Sequence, residues 1–511
     1  MNDVVSGKRD HANDNQLKRE FHLFSSFAFA FAFISPIVAL YGIFGLALAT
    51  AGPSFWWGFL IVFTGQLLVA LVFAMLVSRW PIEGSIYQWS SRLLGRAYGW
   101  FAGWVYMWTL VIAMATVALG AAGFIANIVG IQSPTGTQKA WIAFAVLLGG
   151  TAVNVAGQQV LKIFMAASIG AEVIGSLGLG TWLLIFHRHN DISVLFAGGK
   201  DFTGNVDYLS IGGPFLVALA FIGFSFVGFE SAGSIAEEVK KPRTNLPKAI
   251  IFSLSFIALV VMYASLAIIL ATPDLGAVTS GKVADPVFDT LTTQLGRGIA
   301  IPVECLFVVG FLASFLALQT SASRMIWAAA RDGGLPASRL LAKLSPVRRQ
   351  PAAAILVTTV VGAALFLLSN VAENIYTIMV NFTSGGFFLS FLFPLFGFVI
   401  VLARKQWRSA AFSLRRATVP VAIVALVWAT LEFVNISWPR PVYPESYLDW
   451  SIVIGIAAIA VVGVIVFVFV KNSIPNVIGQ EYLMAEETAP ASAAVADRAS
   501  DDDAAFDGAR V

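Results

Sequence analysis

Charge is scarce in this chain. Asp, Glu, Lys and Arg make up 12% of its 511 residues, whereas hydrophobic residues make up 58%. Soluble domains carry about 25% charge, so an ordinary soluble domain is excluded. Cysteine is nearly absent. Cys305 stands alone, which excludes an intrachain disulfide and leaves the compartment open. There are four histidines, His11, His22, His187 and His189, and all lie outside the long apolar runs. His187 and His189 form an HxH pair, but with no further ligands near them and no HExxH or CxxC pattern, no metal site is expected. A G-x-x-x-x-G-K-[ST] phosphate loop is missing, so nothing supports ATP-driven transport. No cofactor and no nucleic-acid partner is expected. No cleavable signal peptide is visible, because residues 1–22 are polar and the first apolar run is too long for one.

What the chain has in abundance is long apolar runs. Twelve are long enough to cross a hydrocarbon core of about 30 Å. They fall near residues 24–50, 54–78, 98–130, 138–157, 162–186, 208–235, 249–272, 298–328, 352–370, 375–402, 418–436 and 449–471. An even number puts both ends on one side. With the N-terminus inside, the inner segments hold 26 of the 32 Lys and Arg residues. This asymmetry predicts cytoplasmic termini in a multi-pass protein of the plasma membrane, with the lipid bilayer as a partner. The expected organisation is a cytoplasmic tail over 1–22, a core of ten spans over 23–410, two more helices over 411–471 and a disordered acidic cytoplasmic tail over 472–511. The acidic tail reads as a solvated segment or an interaction segment.

Two spans are interrupted in mid-membrane. The first reads FISPIVALYGIFG over 33–45, and Pro36 removes a backbone donor there before Gly42 and Gly45. The sixth reads IGFSFVGFE over 222–230, where Gly223, Ser225 and Gly228 weaken the helix just ahead of Glu230. Backbone in hydrocarbon must satisfy itself unless it lines a cavity. Paired interruptions at matching positions of two halves therefore point to a transporter binding site, with ordinary kinks as the alternative.

Four stretches carry a resemblance to the amino acid–polyamine–organocation superfamily. Phe224-Ser225-Phe226-Val227-Gly228-Phe229-Glu230 and Lys241-Pro242-Arg243-Thr244-Asn245-Leu246-Pro247 resemble its sixth helix and the loop that follows. Residues 79–89 (RWPIEGSIYQW) resemble its P-x-x-G-[GS]-x-Y loop, and residues 323–336 (SRMIWAAARDGGLP) resemble its S-R…R-D-G-x-L-P signature. Gly52-Pro53 matches a common turn after the first helix. Ile34-Ser35-Pro36 and Trp80-Pro81 look closest to the amino acid/choline branch, which includes GABA and choline permeases. The resemblance implies an all-α membrane fold of twelve helices. It consists of a five-plus-five inverted repeat, with helices one and six broken, and two added helices. It also implies a secondary active transporter of an amino acid or related small amine (GABA, choline or a polyamine among them), driven by a coupling proton or a counter-substrate. A multi-span enzyme would need convergent His, Asp, Glu or Cys, and a channel would more naturally show filter-like rings.

A zwitterionic substrate needs two surfaces. Its carboxylate suits backbone N–H groups at Ser35, Pro36, Ile37 and Val38, where the first helix should break. Its ammonium suits carbonyls and an aromatic face across Ile222, Gly223, Phe224, Ser225, Phe226 and Val227. The resemblance puts Phe224 where relatives often carry an aromatic gate, although packing is the plainer role. Glu230 reads as a coupling or gating acid, or as a structural acceptor. Glu172, in IGAEVIGS of the fifth span, reads as a holder of a proton or Na⁺, a partner for a cationic substrate, or a structural group. Some relatives have a lysine near that position, so the acid departs from their pattern. A carboxylate at membrane depth costs about 2.5–3.5 kcal/mol or more, which makes both acids functional candidates. Glu304 and Glu432, near span ends, are expected to reach the interface. The run 381–386 (NFTSGG) reads as close packing or gate contact. Glu237-Glu238-Val239-Lys240-Lys241 reads as a surface loop or an inner-gate salt bridge, and Arg324–Asp332 as a clamp on the end of the eighth helix. Asn435-Ile436-Ser437 matches a glycosylation sequon, and Gly99 with Gly103 forms a packing GxxxG.

Overall fold

The computed structural model describes residues 21–131, 134–197, 207–283, 285–367, 375–440 and 446–478. Among these residues the regular elements are helical, and one isolated parallel bridge joins Phe21 to Val239. Eleven helices are long and apolar enough to cross a membrane, and Ala352–Leu367 is a shorter apolar helix. Its 16 residues rise roughly 24 Å, and the expected end of this ninth span at 370 lies outside the described residues. Counted with it, the spans number twelve, so the all-α architecture read from the sequence holds. The acidic tail beyond 478 and the N-terminal tail before 21 also lie outside the described residues.

The bundle is apolar outside, and its hydrophobic core also holds buried polar groups. Phe469 is 80% exposed, Val360 69% and Leu259 64%, as suits side chains facing lipid. Gln66, Asn154 and Gln319 are buried. Asn154 donates to Gln319 Oε1 at 2.7 Å, and Gln319 donates to Thr151 Oγ1 at 2.9 Å, which ties the fourth span (Gly136–Ala156) to the eighth (Arg297–Arg331). Gly99 and Gly103 allow close approach within the chain. A Cβ on Gly99 would lie 1.8 Å from Ser91 Oγ, and one on Gly103 would lie 2.7 Å from Met325 Cε. The eleventh and twelfth spans, Arg415–Ser437 and Leu448–Val470, bury few of their residues and so lie at the rim.

The first span comes apart at Ser35. Helix Leu23–Ile34 ends there, Ser35 has φ +46°, and a new helix begins at Pro36. Proline accounts for the break locally. It clashes with an α conformation at the preceding residue and has no N–H to offer the preceding turn. It is also well suited to start a helix, and Ser35 caps the new helix by accepting from the Val38 N–H at 3.3 Å. A second interruption follows at Gly42 and Ile43, after which helix Phe44–Ala51 contains Gly45 without breaking. The sixth span, Pro214–Glu238, is a regular helix to Ile222 and a tight turn over Gly223–Phe226. Val227 is extended, Gly228 has φ +96°, and tight turns resume over Phe229–Glu238.

Gly228 is required on two counts. Its positive φ disfavours any Cβ, and a Cβ built there would lie 2.2 Å from the Phe33 ring of the first span. Gly228→Ala is therefore expected to destabilise the protein by about 1–3 kcal/mol, read as a lower Tm in detergent. An unchanged Tm would mean that the break does not depend on this contact.

Candidate functional site

The two breaks meet. Ser225 Oγ in the sixth span donates to the Ala39 carbonyl of the first at 2.6 Å. Ser314 Oγ of the eighth span donates to the Phe33 carbonyl, just before the break, at 2.8 Å. Tyr376 of the tenth span (Ile375–Ala403) donates to the Gly42 carbonyl at 3.1 Å, serving the second interruption. Carbonyls that a continuous helix would bond internally are thus met by side chains from three other spans, as backbone in hydrocarbon requires. Ser35, Pro36, Ile37 and Val38 are buried, as are all the residues from Ile222 to Val227, with Phe224 the most accessible at 7%. Solvent therefore has little access to either stretch.

Glu172 has an unexpected position. The Ile37 N–H donates to its Oε2 at 2.9 Å, and the Ser35 hydroxyl donates to its Oε1. A carboxylate of the chain itself therefore occupies the donors at the first break that suit a substrate carboxylate. Ser176, one turn further along, donates to Oε2 at 3.4 Å. The helix carrying Glu172 widens immediately afterwards into a π-helical stretch over Val173–Gly178, a feature frequent at functional sites. Within this stretch the Gly175 carbonyl accepts from Tyr41 at 3.0 Å, and the Tyr41 ring stacks on Phe307 with centroids 3.9 Å apart.

Glu230 begins the lower half of the sixth span. Tyr106 of the third span (Arg96–Ile128) donates to its Oε1 at 2.9 Å, and among the described residues its Oε2 has no hydrogen-bond partner. Ser85 donates to its backbone carbonyl at 3.3 Å. The structure therefore brings together the stretches at Ser35 and Phe224 with Glu172, and places Glu230 a few residues further on.

Several other residues differ from the sequence reading. Glu304 and Glu432 are not exposed at the span ends but packed inside the protein, 1% and 2% exposed. Glu304 accepts from Asn127 at 3.1 Å and Glu432 from Asn435 at 3.4 Å, and these local amide donors let the acids stay inside. Asn435, the sequon residue, also donates to the Leu216 carbonyl at 3.1 Å. Gly386 belongs to close packing, since a Cβ there would lie 2.4 Å from Thr109 Oγ1. His187 and His189 both face Gln294 Oε1.

Residues 237–241 divide between the two readings: Lys240 and Lys241 are exposed, as on a surface loop, whereas Glu237 and Glu238 pair with arginines of the eighth span. Glu238 and Arg324 form a buried pair at 3.1 Å, and Arg331 grips Glu237 with two hydrogen bonds at 3.0 and 3.1 Å. Tyr87 and Gln88 both donate to Asp332 at 2.9 Å, which clamps the end of the eighth helix to the helix Ile86–Leu94. Phe21 lies across this end, its N–H donating to the Glu238 carbonyl and its carbonyl accepting from Lys240. Together these contacts shut the end of the bundle that carries most of the Lys and Arg. Tyr106, Ser314 and Tyr376 were not anticipated from the sequence. Tyr106 is one aromatic among many in its span, and a hydroxyl serving a break three spans away leaves no local pattern.

A helical bundle with an apolar rim and its polar groups turned toward two interrupted helices is a membrane transporter. The chain belongs to the amino acid permease family, whose model matches residues 21–467. An uncharacterized amino-acid permease of Schizosaccharomyces pombe is 25% identical over 86% of this chain and 82% of its own length. The amino-acid permease BAT1 homolog of rice, Oryza sativa subsp. japonica, is 24% identical over 84% and 87%. The branched-chain amino acid permease BcaP of Lactococcus lactis is 26% identical over 80% and 86%. The protein is accordingly an amino acid transporter and not an enzyme.

The Glu172 contacts yield a graded expectation. Gln at this position keeps an acceptor for the Ile37 N–H but gives up the charge that strengthens these hydrogen bonds, and Ala strands the buried Ile37 N–H at a cost of about 1–3 kcal/mol. Tm is expected to fall in the order parent, Glu172→Gln, Glu172→Ala. Equal values for all three would mean that this carboxylate does not support the break.

Proposed function

We propose that the protein is a secondary carrier of an amino acid or related small amine. It works by alternating access about the paired breaks at Ser35 and Val227–Gly228, and it is driven by a coupling proton or a counter-substrate. The single observation that carries this reading is the Ser225–Ala39 hydrogen bond, which joins two interrupted helices in the buried centre of the bundle. Half-helices ending at one point present donors and acceptors to a small charged solute and give the bundle a place to hinge. We place it in the plasma membrane, and the charge asymmetry supports cytoplasmic termini, which makes the shut end the cytoplasmic gate.

In this reading Ser35, Pro36, Ile37 and Val38 form one wall of the substrate site. Ile222, Gly223, Phe224, Ser225, Phe226 and Val227 form the other, with Phe224 as the gate. Glu172 and Glu230 are the coupling acids. Glu172 accepts from Ser35 and Ile37 at the first break, and Glu230 accepts from Tyr106 beside the second.

Counterflow in proteoliposomes tests the carrier reading. Substrate loaded inside is expected to accelerate labelled uptake from a panel of amino acids, GABA, choline and polyamines. A lack of trans-stimulation across the whole panel would defeat the reading. Phe224→Ala is expected to lower uptake about tenfold while leaving the amount of protein in the membrane near that of the parent, and unchanged uptake kinetics would remove its gate role. Glu230→Gln is expected to flatten the pH dependence of uptake, and a profile matching the parent would remove Glu230 from coupling.

A further inference from the structure

The shut end contains an acid that the transport reading does not use. Glu83 lies in the loop between the second span (Pro53–Arg79) and the helix Ile86–Leu94. It is fully buried, and among the described residues neither of its carboxylate oxygens has a hydrogen-bond partner. Its backbone N–H faces Glu237 Oε1 at 3.4 Å.

The charges that face it come from two elements. Glu237 and Glu238 lie at the end of the sixth span, and Arg324 and Arg331 lie on the eighth. Both guanidiniums already have a carboxylate, Arg324 with Glu238 and Arg331 with Glu237. Asp332, next to Arg331, is held by Tyr87 and Gln88. The layer thus holds three carboxylates, Glu83, Glu237 and Glu238, against two guanidiniums, and the third carboxylate is sealed from water. An ionised group there would be a buried charge with no counter-ion of its own, beside two of like sign. Burial first, and then Glu238 and Glu237, push the Glu83 carboxyl well above the usual carboxylate range, with Arg324 and Arg331 pulling less strongly the other way.

We propose that Glu83 is a proton-binding site of this gate, protonated while the Glu237–Arg331 and Glu238–Arg324 pairs are joined and ionised once they part and water enters. The inference rests on the carrier reading for its sidedness. The proton comes from the cytoplasm and returns there, so it sets how readily the gate opens and does not drive net transport. The sign follows from linkage. The shut form holds the proton more tightly than the open form, so low cytoplasmic pH favours the shut gate, and rising pH releases it. Proton occupancy of such a group changes by up to roughly tenfold per pH unit.

The test compares the parent, Glu83→Gln and Glu83→Asp in proteoliposomes at fixed external pH. Raising the internal pH from about 6 to about 8 is expected to speed substrate release by the parent roughly threefold or more. Glu83→Gln, which stays neutral, is expected to release slowly at every internal pH. Glu83→Asp, which titrates, is expected to restore the dependence.

A second readout needs no substrate. In a Cys305→Ser background, Ser234→Cys places a thiol beside Ser85 in the buried layer, since the two hydroxyls lie 3.4 Å apart. Its labelling by a water-soluble maleimide reports opening. The ratio of labelling rates, parent over Glu83→Gln, is expected to rise with pH, because the thiol chemistry is common to both. A constant ratio, or release from Glu83→Gln with the parent's pH dependence, would overturn the assignment. If no compound of the panel is carried, the transport reading fails and the labelling ratio alone decides the role of Glu83.

Discussion

A peptide group cannot be left unbonded inside a lipid bilayer, and the centre of this protein is organised around two places where the helix that would satisfy it stops. At Ser35 the cause is local: a proline follows, and no α-helix tolerates one without giving up a bond. At Gly228 the cause is partly tertiary, because the Phe33 ring leaves no room for a side chain. What the helices lose, the surrounding spans replace. Ser225, Ser314, Tyr41 and Tyr376 each send a hydroxyl to a backbone carbonyl, and Glu172 accepts from a backbone N–H. Each bond contributes about 0.5–1.5 kcal/mol net, but the cost of leaving its partner bare is larger. This is why polar residues are found inside the bundle and aliphatic residues on its rim.

The same reasoning explains the shut end. Buried ion pairs add little net stability, because desolvation offsets most of their attraction, yet separating one partner from the other without water is costly. Pairs such as Glu238–Arg324 therefore favour two arrangements over any intermediate: joined and dry, or parted and hydrated. The sixth span supplies the carboxylate and the eighth the guanidinium of each pair, so any movement of one span against the other would have to part them.

Much of this was legible in the sequence, for physical reasons. A bilayer imposes length and apolarity on a span, so the spans and their number can be read from composition alone. The residues at the breaks were legible because proline and clustered glycine carry their conformational preference wherever they occur, as at Pro36 and Gly228. Gly45 shows the limit of that argument: it sits inside a regular helix, against Pro286, and its freedom is not used for a break. Side chains that act across the bundle were not legible. Tyr106 and Ser314 have their roles only because the third and eighth spans lie beside the broken ones. Glu304 and Glu432 were placed by depth, but what decides their burial is an amide donor close by, Asn127 or Asn435, which no hydropathy pattern reports.

On the proposed carrier reading, Glu172 is the residue at which fold and function meet. The donors at the first break suit an anion, and in this structure the chain fills them with its own carboxylate. A zwitterionic substrate that reached the Ile37 N–H would therefore have to displace Glu172, and a displaced carboxylate in a dry centre needs a proton or another set of donors. Substrate binding and protonation at that point would then be a single equilibrium, as coupling requires. A substrate with no carboxylate would leave Glu172 in place, so the same site would bind it without drawing in the proton. The identity of the anion on these donors thus bears on both substrate class and coupling, and both depend on the helix having stopped at Ser35.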